Sequence, residues 1–119
     1  MSPHLAAWLE RRRRAAAAEG ERATAIARER MPEIVQCLVD EFGATRIVLF
    51  GSLLSGRLEQ QSDVDLAVRG IAPARYFDAL ARVTEILGRD VDLVELDRAS
   101  ASLLRRIRET GEVLHAGDA

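Results

Sequence analysis

The chain has 119 residues, 48% of them apolar and 4% aromatic, with a net charge of −2 and one cysteine, Cys37. That length suits one domain with a modest core. The charge and the scarcity of rings speak against a dedicated nucleic-acid binder, and one cysteine excludes an internal disulfide or a zinc cluster. All seventeen basic residues are arginine, so Schiff-base chemistry and a Walker-type phosphate lysine are excluded.

In chain order, His4 to about Arg30 has helix-favouring composition rich in alanine, arginine and glutamate. It carries Arg11-Arg12-Arg13-Arg14 and a small apolar stripe of Leu5, Trp8 and Leu9 at helical spacing. Gly20 is expected to break it. Residues 1–30 are therefore assigned as a helical extension, either packed weakly on the domain or serving as a docking arm. Residues 31–119 form the domain proper. Pro32 is expected to restart a helix over Pro32–Phe42, with Ile34, Val35, Leu38, Val39 and Phe42 on its apolar face and Gly43 ending it. Cys37 on this helix reads as a buried structural thiol.

Arg46-Ile47-Val48-Leu49-Phe50 reads as a buried strand, and Asp63–Val68 as a second. Pro73 opens a helix to about Leu87, burying Tyr76 or Phe77, Leu80, Val83 and Leu87, and Gly88 closes it. A third strand follows in Arg89–Leu96. Ser100 or Asp97 caps a helix over Ser102–Thr110 with Leu103, Leu104 and Ile107 inward. Glu112–His115 is then a short edge strand. This order predicts a mixed α/β fold: a small mixed sheet with helices on one face and the carboxylates on its exposed face. Arg105-Arg106-x-Arg108 reads as the wet face of the last helix. His4 and His115 read as surface residues, and Tyr76 as either core or a site of self-modification. No segment has the length and apolarity of a membrane span, and no secretory signal is evident, so the expected location is the cytoplasm.

The chemistry sits in LFGSLLSGRLEQQSDVDLAV, Leu49 to Val68. Gly51-Ser52 ends the first strand, ten residues separate Ser52 from Asp63, and Asp65 follows after one more. On an extended segment both aspartates emerge from one face, while Val64, Leu66 and Val68 point into a core. Carboxylates held side by side repel, and a bound cation is the natural reason to keep them there. The Gly-Ser turn can offer N–H groups and a hydroxyl to phosphate oxygens. Downstream, Asp92 on the third strand can join Asp63 and Asp65 if the strands pair. Three carboxylates suit two magnesium ions bridged by phosphate oxygens. Asp92 is then the expected acceptor of the attacking hydroxyl's proton. Asp90, of the same parity, sits at the strand mouth and reads as a turn residue.

On these residues the chain resembles the minimal nucleotidyltransferases of the DNA-polymerase-beta superfamily, over roughly Pro32 to Ala116. The resemblance rests on the strand–Gly-Ser turn, the D-x-D strand, the Val91-Asp92-Leu93-Val94-Glu95-Leu96 strand and the closing helix with Gly111-Glu112-Val113-Leu114-His115. It implies a polymerase-beta-like fold in which Gly51 and Ser52 bind the triphosphate of ATP and Asp63, Asp65 and Asp92 are catalytic and hold Mg2+. One departure stands out. The family usually continues the turn as GS-x-A-R-G, but here the residues are Leu53-Leu54-Ser55-Gly56, so the arginine position is Ser55 and Arg57 follows the glycine. Arg57 is either a shifted phosphate contact or a solvated loop residue.

The resemblance also implies a partner. Such small proteins look like antitoxins of HEPN-domain ribonuclease toxins, transferring AMP from ATP to a toxin tyrosine within a hetero-oligomer. No direct nucleic-acid or membrane contact is expected. Two further readings stay open: a binding-only antitoxin that blocks its partner sterically, and a nucleotidyltransferase acting on a small molecule.

Overall fold

A computed structural model describes residues 1–56, 58 and 63–117. The chain opens with one helix, α1, Pro3–Asp40, of 38 residues. At 1.5 Å per residue this spans about 57 Å, which accounts for the 60 Å long axis of a molecule otherwise 29 × 22 Å. Ser2 caps it, its Oγ accepting from the Leu5 N–H at 3.1 Å, and Pro3 occupies the first turn, where a missing N–H is harmless. The C-terminal end is closed by Gly43 at φ +74°, whose N–H donates to the Val39 carbonyl.

Two expectations about this helix need correction. The helix runs unbroken through Gly20 and through Pro32. Gly20 is there for contact: a Cβ on it would lie 2.8 Å from the Leu58 carbonyl oxygen, so only glycine lets the helix backbone pass that loop. Pro32 removes the hydrogen bond to the Arg28 carbonyl, a defect of about 3 kcal/mol in a helix interior. Burial of Ala27, Met31, Ile34 and Leu38 on either side of it holds the helix together regardless.

The strands β1 (Arg46–Phe50), β2 (Val64–Arg69), β3 (Val91–Glu95) and β4 (Glu112–Ala116) form one sheet in the order β3-β2-β1-β4. β1 is antiparallel to both β2 and β4, whereas β2 and β3 are parallel. The parallel pair is joined by α2, Tyr76–Leu87, preceded by a short 3-10 turn, Pro73–Arg75. Helix α2 ends on Gly88 at φ +78°, and the Arg30 guanidinium donates to its last carbonyl, that of Leu87, at 2.7 Å. The final helix, α3, is Ala101–Thr110, capped by the Ser100 hydroxyl, which accepts from the Leu103 N–H.

The mixed α/β fold is as the sequence predicts, with one difference in layering. Helices α1 and α2 pack on one face, burying Met31, Ile34, Leu38, Ala79 and Val83 against Ile47, Leu49, Val64, Leu66, Leu93 and neighbours. Helix α3 takes the other face, where Ile107, Leu103 and Leu104 meet Val48, Phe50, Ala67 and Leu96. Alternation explains both layers: β1 is apolar at every position from Ile47 to Phe50 because it is covered on both sides. On α2, Tyr76 turns inward and Phe77 is left 77% exposed. Cys37 is buried, its thiol donating to Glu41. Burial first, then Glu41, pushes its pKa up to about 11, so it stays protonated and inert.

Candidate active site

The register of the sheet puts the aspartates together. Phe50 lies opposite Asp65 in the β1–β2 pair, and Asp65 lies beside Asp92 in the β2–β3 pair. Asp65 and Asp92 thus stand on neighbouring strands at the same level, on the α3 face, at the end where β1 runs out into Gly51. Asp63 immediately precedes β2 and is exposed, as is Asp92; Asp65 is half-buried. The Asp65 carboxyl is held above the usual carboxylate range, first by burial, then by the charge of Asp92, with Asp63 adding to the effect and Arg106 opposing it. All three acids therefore share one electrostatic neighbourhood. Asp90 contributes its backbone, accepting from the Val64 N–H at 3.1 Å as β2 and β3 begin.

Gly51 is the second element of the site. Its φ is +81°, and a Cβ placed on it would land on the Asp65 carboxylate. Glycine is thus required twice, for the backbone conformation and for the open space above Asp65. The turn that follows is tied by Ser55 N–H to the Gly51 carbonyl, by Gly56 N–H to that of Leu53, and by the Ser55 hydroxyl to the Ser52 carbonyl. Leu53 and Leu58 are buried and anchor the turn to the core. This gives the Leu53-Leu54-Ser55 departure a physical role: apolar side chains and a local hydroxyl hold the turn. Arg57 lies outside the described residues.

The sequence pattern passed over Arg106. Arg106 and Arg108 are two positions apart, so about 200° separates them around α3. With Ile107 buried between them, they occupy opposite flanks of the helix. Arg108 lines the cleft at the Arg46 and Arg69 end of the sheet. Arg106 therefore flanks the end that carries Asp65, in agreement with its pull on that carboxyl. The available signal was the position of Arg106 beside an inward-facing isoleucine, invisible until α3 is known to cross the carboxylate face.

Tyr76 also approaches the site. Its hydroxyl donates to the Leu93 carbonyl of edge strand β3 at 2.6 Å, and burial, then Asp92 and Glu95, raise its pKa. It is a structural clamp holding α2 against the strand that carries Asp92.

The donor set suits a hard divalent cation: carboxylate oxygens, two of them in register, beneath a glycine that leaves room for a ligand. As placed, no three Asp, Glu, His or Cys side chains among the described residues stand close enough to share one ion. The acids form an open cluster.

Residues 33–119 match the polymerase beta nucleotidyltransferase family. The chain belongs to that family. Among curated proteins no match was found. Several solved structures are similar. One is a toxin–antitoxin complex with AMP-PNP, at 26% identity and a TM-score of 0.63, covering 72% of this chain and 73% of that one. A second is the toxin–antitoxin pair MntA–HepT, at 26% identity and 0.60, covering 75% and 72%. A third is a tri-AMPylated Shewanella oneidensis HEPN toxin in complex with an MNT antitoxin, at 26% identity and 0.61, covering 76% and 72%. As a member of the family this chain is a nucleotidyltransferase by its domain. Among the described residues no helix is long and apolar enough to cross a membrane.

Proposed function

We propose that this nucleotidyltransferase transfers AMP from ATP to a tyrosine hydroxyl of a HEPN-type ribonuclease, acting as the antitoxin of the pair. The observation that carries the reading is the in-register pair Asp65 and Asp92, beside a glycine that keeps the space over Asp65 open. The MNT–HEPN complexes among its structural relatives support the choice of partner.

Asp63, Asp65 and Asp92 would hold Mg2+, which when bound supplies charge neutralisation to the triphosphate and makes the α-phosphorus more electrophilic. The chain's own groups do the rest. Gly51 and Ser52 receive the triphosphate at the end of β1, with Arg57 as a further phosphate contact and Arg106 offering a guanidinium from the flank of α3. Asp92, exposed beside Asp65, accepts the proton of the attacking tyrosine hydroxyl. The hydroxyl oxygen bonds to the α-phosphorus as the bond between that phosphorus and the α,β-bridging oxygen breaks, and pyrophosphate leaves in line. The hydrogen-bonded turn after Gly51 and the paired strands under Asp65 and Asp92 support this reading, since both are held by backbone contacts of the fold itself.

The test is transfer of label from α-labelled ATP, with magnesium, to the protein encoded by the reading frame adjacent to that of this chain, which the proposal expects to be a HEPN-type ribonuclease. Label should appear on the partner from the α-phosphate and not from the γ-phosphate. It should vanish in Asp63→Asn/Asp65→Asn; labelling that persists in that variant would defeat the proposal.

A second reading, antitoxicity by binding alone, is favoured by one observation. Leu5 and Trp8 are 45% and 46% exposed on the part of α1 outside the matched region. Truncation ahead of Gly20 removes that stripe and spares Ala27 and Met31, which belong to the core. Neutralisation lost on truncation yet retained in the double aspartate variant would favour this reading.

A further inference from the structure

The α3 face has a second charged end. Arg46 and Arg69 are directly opposite each other in the β1–β2 pair, and like charges so placed repel. Arg108 joins them from the flank of α3, and together they line a cleft of about 290 Å³ floored by Val48, Leu96, Leu104 and Ile107. The only carboxylate seen paired with these arginines among the described residues is Asp97, 2.9 Å from Arg69 and 70% exposed. Among the described residues, three guanidiniums and one carboxylate leave a local charge of +2. Arg69 lies four positions beyond Asp65 along β2, about 13 Å away, so this cleft is apart from the carboxylates.

We propose that this cleft is a second, non-catalytic site that binds a small phosphate ester. The charge of a phosphate monoester near neutral pH, about −1.5 to −2, matches the uncompensated charge of the cleft. Guanidinium forks bind phosphate oxygens with paired hydrogen bonds, whereas a single carboxylate would leave one charge unmatched. The buried floor of Val48, Leu96 and Ile107 accepts the apolar body of the ester, and the volume admits little more than one ring beside the phosphate. Occupancy relieves the Arg46–Arg69 repulsion, which explains why two arginines are tolerated opposite each other at this position. The proposal stands independently of the nucleotidyl-transfer reading.

The experiment uses the full-length chain carrying Asp63→Asn/Asp65→Asn, so that the carboxylate site is silenced, and phenyl phosphate as the probe in calorimetry. One equivalent should bind, more tightly than inorganic phosphate and more weakly as salt rises. Adding Arg108→Gln or Arg46→Gln should weaken it at least about tenfold, as loss of a charge-assisted contact requires. Arg105→Gln, on the outward side of the same helix, should leave it unchanged. Melting curves of each variant confirm that the fold is intact. The proposal is overturned if phenyl phosphate does not bind, or if Arg105→Gln weakens it as much as Arg108→Gln, which would mean a diffuse charge effect.

Discussion

One face of the sheet is closed and the other is open, although both are made from the same four strands. On the closed face α1 and α2 together cover Ile47, Leu49, Val64, Leu66, Val68, Val91 and Leu93. On the open face a single ten-residue helix, α3, covers only the middle, leaving Asp65 and Asp92 at one end and Arg46 and Arg69 at the other. The difference shows how a small domain divides its work. Burial on one side supplies stability, and the other side can then carry repelling charges that a two-sided core could not tolerate.

The comparison breaks first at its stable side. Leu38 is fully buried in the closed face, so Leu38→Ala should cost about 2–5 kcal/mol through lost burial and an unfilled cavity. Urea unfolding measures it directly. A cost below 1 kcal/mol would mean that the closed face does not dominate stability. The next largest effect belongs to the open face. Gly51→Ala forces a Cβ into the Asp65 carboxylate and into a left-handed backbone. It should destabilise by about 1–3 kcal/mol and abolish divalent-dependent ATP binding, read by calorimetry. Unchanged ATP binding would show that the space above Asp65 is not where the nucleotide goes.

Much of this division was legible in the sequence. Val64, Leu66 and Val68, at positions of opposite parity to Asp65, announce which side of β2 faces the core, whereas the four-residue apolar run of β1 announces a buried strand and not that helices cover both its faces. Spacing puts Asp63 and Asp65 on one parity because strand parity is a local property, and the sheet register then sets Asp92 beside Asp65. What local pattern could not supply was the placement of helices. Gly20 and Pro32 look like breaks in any helix considered alone, yet tertiary burial on both sides of Pro32 and the close pass of Leu58 at Gly20 decide otherwise. Arg106 and Arg108 look equivalent until α3 is laid across the sheet, and then one belongs to the acidic end and the other to the basic end.

A smaller effect sharpens the picture of α1, which belongs to the closed face and also extends beyond it. Pro32 is exposed, and its defect is borne by the packing around it. Pro32→Ala restores the hydrogen bond to the Arg28 carbonyl. It should raise stability by about 1–2 kcal/mol, less than the full helix penalty because proline also stiffens the unfolded chain. A shift of the urea midpoint upward with unchanged slope is the expected result. A destabilisation would show that the helix needs a bend there.

The smallest expected effect tests the open face by its electrostatics. Asp65 has its carboxyl pKa raised in the fold above the ordinary 3.8, by burial and by the charge of Asp92. The native state therefore holds that proton more tightly than the unfolded chain. The sign follows: relative stability from this group is full below the unfolded pKa and is lost as pH rises through the folded one. At neutral pH the ionised Asp65 is a burden on the metal-free fold, so Asp65→Asn should raise the melting temperature there. The gain should shrink as pH falls toward 3.8, where the wild-type group takes up its proton. Because Asp65 is only half-buried, solvent screening keeps the effect small. Added magnesium should narrow the gap at neutral pH by stabilising the wild type alone. If the variant instead melts lower at neutral pH without metal, the carboxylates at this end of the sheet are not in conflict, and the argument that they await a cation loses its footing.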